Sequence, residues 1–323
     1  MANTGVIAVP KPDPLFHPYL VIGFSVFAMS LGIIFIRIAQ DESVPTQVII
    51  AIRILLATLF ITPFVLRNHM DALRNMTRRE WGLGFLAGIF FTGDFLMFTE
   101  SINQTTILVA GVIGGSSSIW TAFLERYILK ASISRNVWYG VILALIGGAL
   151  IAVGGVGEDI SVGKNPLLGA GLAAGAAFFF ACYLTTGRFL RSRLPMLVYT
   201  WMVFVAASVI SWMVVIGSGV SVTGYSAEGY TMILAVTVTS QLLAHPGFNY
   251  SLAYVSATVM SMSGQMVTVV GAVLALIAFN ELPNTLQIVG SVIVLIGVTI
   301  ASLRKKRAVS PEPMPVETLP TSL

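Results

Sequence analysis

The chain has 323 residues, of which 56% are hydrophobic and 10% charged, with mean hydropathy +0.88 and a formal net charge of +4. Soluble domains have too little interior to hide that much apolar surface, so the bilayer must be the solvent for most of it. The basic balance raises nucleic acid as a partner, but the positions of the basic residues exclude it.

Residues 1–17, "MANTGVIAVPKPDPLFH", hold three prolines and lack a charged region followed by a long apolar one. They read as a disordered tail, with the first span acting as an uncleaved signal anchor. Apolar windows of about 20 residues then fall at 18–38, 46–66, 82–101, 106–124, 137–155, 167–187, 196–217, 229–249, 257–279 and 285–303. The short joints at 101–106 and 280–284 require tight helical hairpins. Residues 304–323 read as a basic and then proline-rich tail. The single Cys182 lies in an apolar run, has no partner for an intramolecular disulfide, and leaves the redox compartment unread.

Charge orients the spans. With the N-terminus inside, the inside segments hold Lys11, the Arg67–Arg79 cluster, Arg126 to Arg135, Arg188 to Arg193 and Arg304 to Arg307, together 15 of the 18 basic residues. The outside segments hold Lys164 and the acids Asp41, Glu42, Glu158, Asp159, Glu228 and Glu281. This follows the positive-inside rule and predicts a multi-pass protein of the cell inner (plasma) membrane with cytoplasmic N- and C-termini. The basic residues are therefore topological anchors.

An offset of 150 residues aligns the two halves from the third span onward. It brings Phe98 onto Phe248, Gly114 onto Gly264, and "GVILALIG" at 140–147 onto "GSVIVLIG" at 290–297. Each half holds five spans, an odd number, so equivalent helices cross in opposite directions. The expected fold is an all-α membrane protein of ten transmembrane helices arranged as two inverted five-helix repeats, residues 18–155 and 167–303. Inverted repeats place a substrate site near the midplane between the halves and allow alternating access by rocking. Duplication for structure alone is the competing explanation.

The chain resembles the drug/metabolite transporter superfamily, in particular its EamA-type ten-helix members. The resemblance spans about residues 18–303 and rests on the duplicated layout and on "SATVMSMSGQMVTVVGAVLALIAFNELPNTLQIVGSVIVLIGV". There, Ser256, Glu281 and Gly290 resemble the small residue that opens a family helix, the acid that ends it and the glycine nine residues later. Arg53 in "AIRILLATLF" resembles an arginine of the family's second helix. The first half departs from this pattern with Lys130-Ala131 opposite Asn280-Glu281, and Ser118 and Thr268 replace mid-helix prolines. The resemblance implies a secondary transporter, usually an exporter, of a small polar metabolite such as an amino acid or related compound.

Ionisable residues within spans are functional candidates because a bare charge in hydrocarbon costs several kcal/mol. At about 1.5 Å per residue, Asp94 and Arg53 both lie about 10 Å below the outer surface. They are expected to pair, either as a substrate or proton site or as a structural ion pair. Arg53 otherwise suits a carboxylate or phosphate clamp. Glu100 and Arg37 are expected together at the outer rim or gate. Gln241, His245, Asn249 and Tyr250 occupy the eighth span, with His245 able to relay protons or to hold helices together. Gln265 near the midplane, and Ser116, Ser117 and Ser118 with Trp120, could read a polar substrate. The serines also suit close helix packing, and Trp120 and Phe178 to Phe180 suit packing as well.

The alternatives carry fewer marks. An intramembrane enzyme would need a metal or nucleophile constellation, yet H-E-x-x-H and G-x-S-x-G are absent and the histidines are His17, His69 and His245. Polar groups are scattered rather than forming a pore stripe, no nucleotide-binding loop appears, and a receptor has no specific support. The expected partners are a small-molecule substrate, the lipid bilayer and protons as coupling ion, with homodimerisation open. No nucleic acid, metal or cofactor is expected.

Overall fold

The computed structural model describes residues 14–105, 107–154, 165–279 and 282–303, which are helical almost throughout, with no strand among them. The first half contains α1 (Pro18–Asp41), α2 (Thr46–Asn68), a single-turn α3 (Met70–Arg74), α4 (Arg78–Gln104), α5 (Ile107–Gly114), α6 (Ser117–Tyr127) and α7 (Arg135–Gly154). The second contains α8 (Pro166–Leu190), α9 (Met196–Ser218), α10 (Ala227–Val236), a π-helical segment (Thr237–Ala244), α11 (His245–Ser251), α12 (Ala257–Phe279) and α13 (Thr285–Ser302). The expectations placed on Lys11, Glu158, Asp159, Lys164, Asn280, Glu281 and the tails at 1–13 and 304–323 lie outside the described residues.

Among the described residues eight helices are long and apolar enough to cross a membrane by themselves. The fourth and eighth expected spans are interrupted, each for a local reason. Between α5 and α6 the chain reads Gly114-Gly115-Ser116, and the Ser116 amide donates to the Ile113 carbonyl at 3.0 Å, an i→i−3 bond. Glycine inside a helix costs about 1 kcal/mol relative to alanine, and serine competes for backbone hydrogen bonds, so the helix breaks here. In the eighth span Pro246 has no amide to donate to the preceding turn, and the residues before it widen into the π segment.

The helix neighbours show the duplication directly. The α7–α13 and α2–α9 pairs each join equivalent spans of the two halves. The α4–α8 pairing has its counterpart in α1 against the eighth span, and α12–α13 has its counterpart in α5–α7. At the α7–α13 crossing Gly147 faces Gly290 and Gly140 faces Gly297. A Cβ on either Gly147 or Gly290 would come 2.6 Å from the other's carbonyl oxygen, so only hydrogen fits. Exchanging the halves maps these two contacts onto each other. This is the geometry of inverted repeats around a pseudo-twofold axis, and close glycine approach is how membrane helices gain packing energy.

Large apolar side chains cover the outside: Phe24, Phe60, Met213, Ile216 and Ile277 are each more than half exposed, a surface that only lipid would cover. On the face bearing most of the basic residues, hereafter the basic face, α4 starts in a capping box in which Thr77 and Glu80 satisfy each other's amides at 2.9 and 3.2 Å. Here Arg188 donates to the Leu252 carbonyl, and Arg191 donates to the Asn249 carbonyl at 2.8 Å. These two arginines thus close the C-terminal end of α11 as well as marking the face.

Candidate functional site in the cavity between the halves

A cavity of about 590 Å³ lies between the halves, walled by α4, α5, α7, α8, α11 and α12 with single residues of α1, α6 and α13. Its lining runs from Gln287, in the first turn of α13, to Ser261, in the first turns of α12. Gln287 is fixed by a second capping box, in which it exchanges hydrogen bonds of 2.9 and 3.0 Å with Asn284. A second cavity of about 660 Å³ lies against the basic face and is lined in part by Glu125, Arg188, Thr258 and Val259. Consecutive residues of α12 divide the two, with Thr258 and Val259 lining this cavity and Met260 and Ser261 the other, so these residues form a septum between them. Within it the Ser261 hydroxyl meets those of Ser117 and Ser118 at 3.1 and 3.3 Å.

Glu125 anchors this septum. Its carboxylate is 2% exposed and accepts the amides of Ala257 at 2.8 Å and Thr258 at 3.0 Å, and the Thr258 hydroxyl at 2.6 Å. It therefore ties the C-terminal half of the broken fourth span to the N-terminus of α12, where negative charge is favoured. Nothing in the sequence marked Glu125, because it adjoins Arg126 and reads as part of a basic loop.

Asp94 projects from α4 into the cavity between the halves, hereafter the upper cavity because it lies farther from the basic face. Phe91, Asp94, Phe95 and Phe98 all line that cavity, at spacings of three, four and seven residues that put them on one helical stripe. Among the described residues Asp94 has no hydrogen bond or ion pair. His245 also lines the cavity, with its ring edge-on to Phe91 at 5.0 Å and to Phe204 at 6.4 Å. Gln265 reaches the same space from α12. Its Nε2 donates to the Gly115 carbonyl at 3.4 Å, while its buried Oε1 has no partner.

The expected Asp94–Arg53 ion pair does not form. Arg53 is 2% exposed, with Cζ 4.8 Å from the centroid of Phe95, and its Nε and Nη2 lack hydrogen-bond partners. Successive helical residues point about 100° apart, so Phe95 rather than Asp94 faces Arg53. Arg53 is not on the cavity wall. Glu100 and Arg37 are each seen against another neighbour: Glu100 accepts from Gln104 Nε2 at 2.7 Å, and Arg37 lies 4.3 Å over the ring of Phe279.

Three further candidates lie off the wall. Gln241 is fully buried in the π segment, and both of its amide atoms lack partners. Trp120 is 40% exposed on the outer surface, edge-on to Phe178 at 5.5 Å. The Tyr250 hydroxyl joins the backbone of Phe16, accepting its amide at 3.1 Å and donating to its carbonyl at 3.0 Å, so it secures the residues that lead into α1. Below His245, Asn249 accepts from Tyr183 at 2.9 Å and donates to Thr200 at 3.1 Å, holding α8, α9 and α11 together.

The family model for the EamA-like transporter family matches twice, at residues 18–153 and 167–303. The chain belongs to the EamA-like transporter family. Among curated proteins it is 25% identical over 227 residues to the "Uncharacterized transporter YyaM" of Bacillus subtilis (strain 168), covering 68% of this chain and 69% of that one. A solved crystal structure superposes with a TM-score of 0.74 at 15% identity, covering 88% of this chain and 96% of the other, a likeness of fold. Within this EamA-like frame the duplicated match coincides with the helix exchange described above, and the cavity lies where the two copies meet.

Proposed function

We propose that the chain is a secondary transporter that moves a small polar metabolite of amino-acid size by alternating access. The observation that carries this reading is the position of Asp94: an unpaired carboxylate on the wall of a cavity between two inverted halves. A carboxylate kept in a membrane core without a counter-charge is costly, so a ligand or a coupling proton is its expected partner. The second cavity, across a septum latched by Glu125, supports two-sided access. In the geometry described here the latch is shut, and rocking the halves would open one side as it closes the other. No metal-ligand cluster occurs among the described residues, and family membership favours transport over catalysis.

The distribution of basic residues supports an inner-membrane location with both termini in the cytoplasm. Export is the direction that the family resemblance favours, with protons as the coupling ion and a homodimer as the assembly to look for. The reading is tested by comparing metabolites in medium and cytoplasm of cells making wild type, Asp94→Asn or no protein, at matched membrane levels. A compound accumulating outside only with wild type supports it. Identical profiles in all three overturn it.

A further inference from the structure

We propose that the transported molecule is an organic cation, an ammonium carried on a compact apolar or aromatic body, with its charge held by Asp94. The inference rests on the transport reading of the upper cavity and narrows it to a substrate class.

The first argument is charge. Asp94 is the one acid on that wall, and the wall holds no lysine or arginine among the described residues. A zwitterionic amino acid brings a carboxylate that also needs a cationic or multi-donor partner. The arginine suited to that task, Arg53, is not among the wall residues and packs against Phe95, with Cζ 4.8 Å from the ring centroid. The wall thus offers a formal negative charge, while a substrate carboxylate would meet only donors without a fixed charge, such as His245 and Gln287.

The second argument is hydrogen-bonding polarity. Gln265 uses its donor on the Gly115 carbonyl, which leaves Oε1, buried and unpartnered, as an acceptor. Its neighbour in this contact is the broken end of α5, and a helix C-terminus carries partial negative charge. A carboxylate, an amide oxygen and a helix C-terminus all favour a cation with N–H groups. A proton site alone would need no such acceptor.

The third argument is shape. Asp94 sits on a stripe with Phe91, Phe95 and Phe98, and Phe248 lines the same space. Aromatic faces attract ammonium groups and cover an apolar body at the same time. A cavity of about 590 Å³ falls within the range of small-ligand sites.

The test uses full-length protein in detergent and three probes that share one ring: phenethylamine, phenylalanine and 3-phenylpropionate. Calorimetric binding to wild type is expected to rank phenethylamine at least ~tenfold tighter than phenylalanine, with no binding of the acid, because an unmatched charged hydrogen-bonding group costs at least that factor. Asp94→Asn should weaken phenethylamine binding by at least ~tenfold and Gln265→Ala by several-fold, while Glu100→Gln leaves it unchanged. Tighter binding of phenylalanine or phenylpropionate, or unchanged binding to Asp94→Asn, overturns the proposal. The wild-type ranking needs no variant to fold. If a neutral or anionic metabolite proves to be exported by wild type, the cation assignment fails while transport stands. If phenethylamine binds at Asp94 but never crosses a proteoliposome membrane, the transport reading fails and the cation site stands.

Discussion

Gln265 and Gly115 touch, and they are each other's equivalents in the duplicated sequence: the Gln265 amide donates to the Gly115 carbonyl at 3.4 Å across 150 residues. A contact between equivalent positions can lie only at the axis relating the two halves. Here the axis runs through the break in the fourth span, where Gly115 has no side chain and Gln265 fills the space. Replacing Gln265 with Leu keeps similar bulk and removes both the donor and the unpartnered acceptor. Thermal stability in detergent should stay within about 1 kcal/mol of wild type, because the loss of one long hydrogen bond is offset by removal of an unsatisfied buried acceptor. Transport should fall about tenfold if one charge-assisted hydrogen bond is lost. Paired melting and efflux assays check this.

The α7–α13 crossing predicts a symmetric sensitivity. Gly147→Val and Gly290→Val each force a side chain against a facing backbone only 2.6 Å from the added Cβ. Each should destabilise the protein by about 1–3 kcal/mol through overpacking, and by similar amounts because each added Cβ meets the facing carbonyl oxygen at the same 2.6 Å. Gly171→Ala, where nothing lies within 4 Å of the added Cβ, is the control. Melting temperatures of the three variants measure the difference.

Glu125 is the latch of the septum, so breaking it should expose the upper cavity to the basic face. In a Cys182→Ser background, Ser261→Cys should react slowly with an impermeant maleimide applied from the basic face. Adding Glu125→Ala should speed labelling by at least about tenfold, since it removes three hydrogen bonds to a charged group. Unchanged labelling would mean that Glu125 does not hold the septum closed.

Arg53 predicts a split between stability and activity. Its Nε and Nη2 are buried without partners, so Arg53→Met should leave melting unchanged or raise it. If Arg53 acts in the transport cycle from behind Phe95, the same variant should still lose activity. A fall in both quantities together would make it a structural residue instead.

Much of this architecture was legible in the sequence because lipid imposes strong rules. Length and apolarity mark spans, basic residues mark one face, and the 150-residue offset marks the repeat. The breaks at Gly115 and before Pro246 were not seen, because a window of about 20 residues averages composition and hydropathy does not record hydrogen-bond register. Asp94 stood out by rarity, and its stripe with Phe91, Phe95 and Phe98 was available from spacing. The Asp94–Arg53 pairing failed because depth along a helix gives one coordinate, and rotation about the axis decides which neighbour is faced. Trp120 and Tyr250 were misplaced for the same reason. Glu125 was hidden because its burial arises only when α6 docks on α12.

The most direct test of the central claim is exchange in proteoliposomes. Vesicles holding equal amounts of wild type or Asp94→Asn would be preloaded with the metabolite found by profiling, and uptake of its labelled form would be followed. Saturable exchange by wild type, lost by at least about tenfold in Asp94→Asn, is the expected result. Equal exchange by both proteins, or none by wild type above empty vesicles, would contradict the assignment of this cavity as a transport site centred on Asp94.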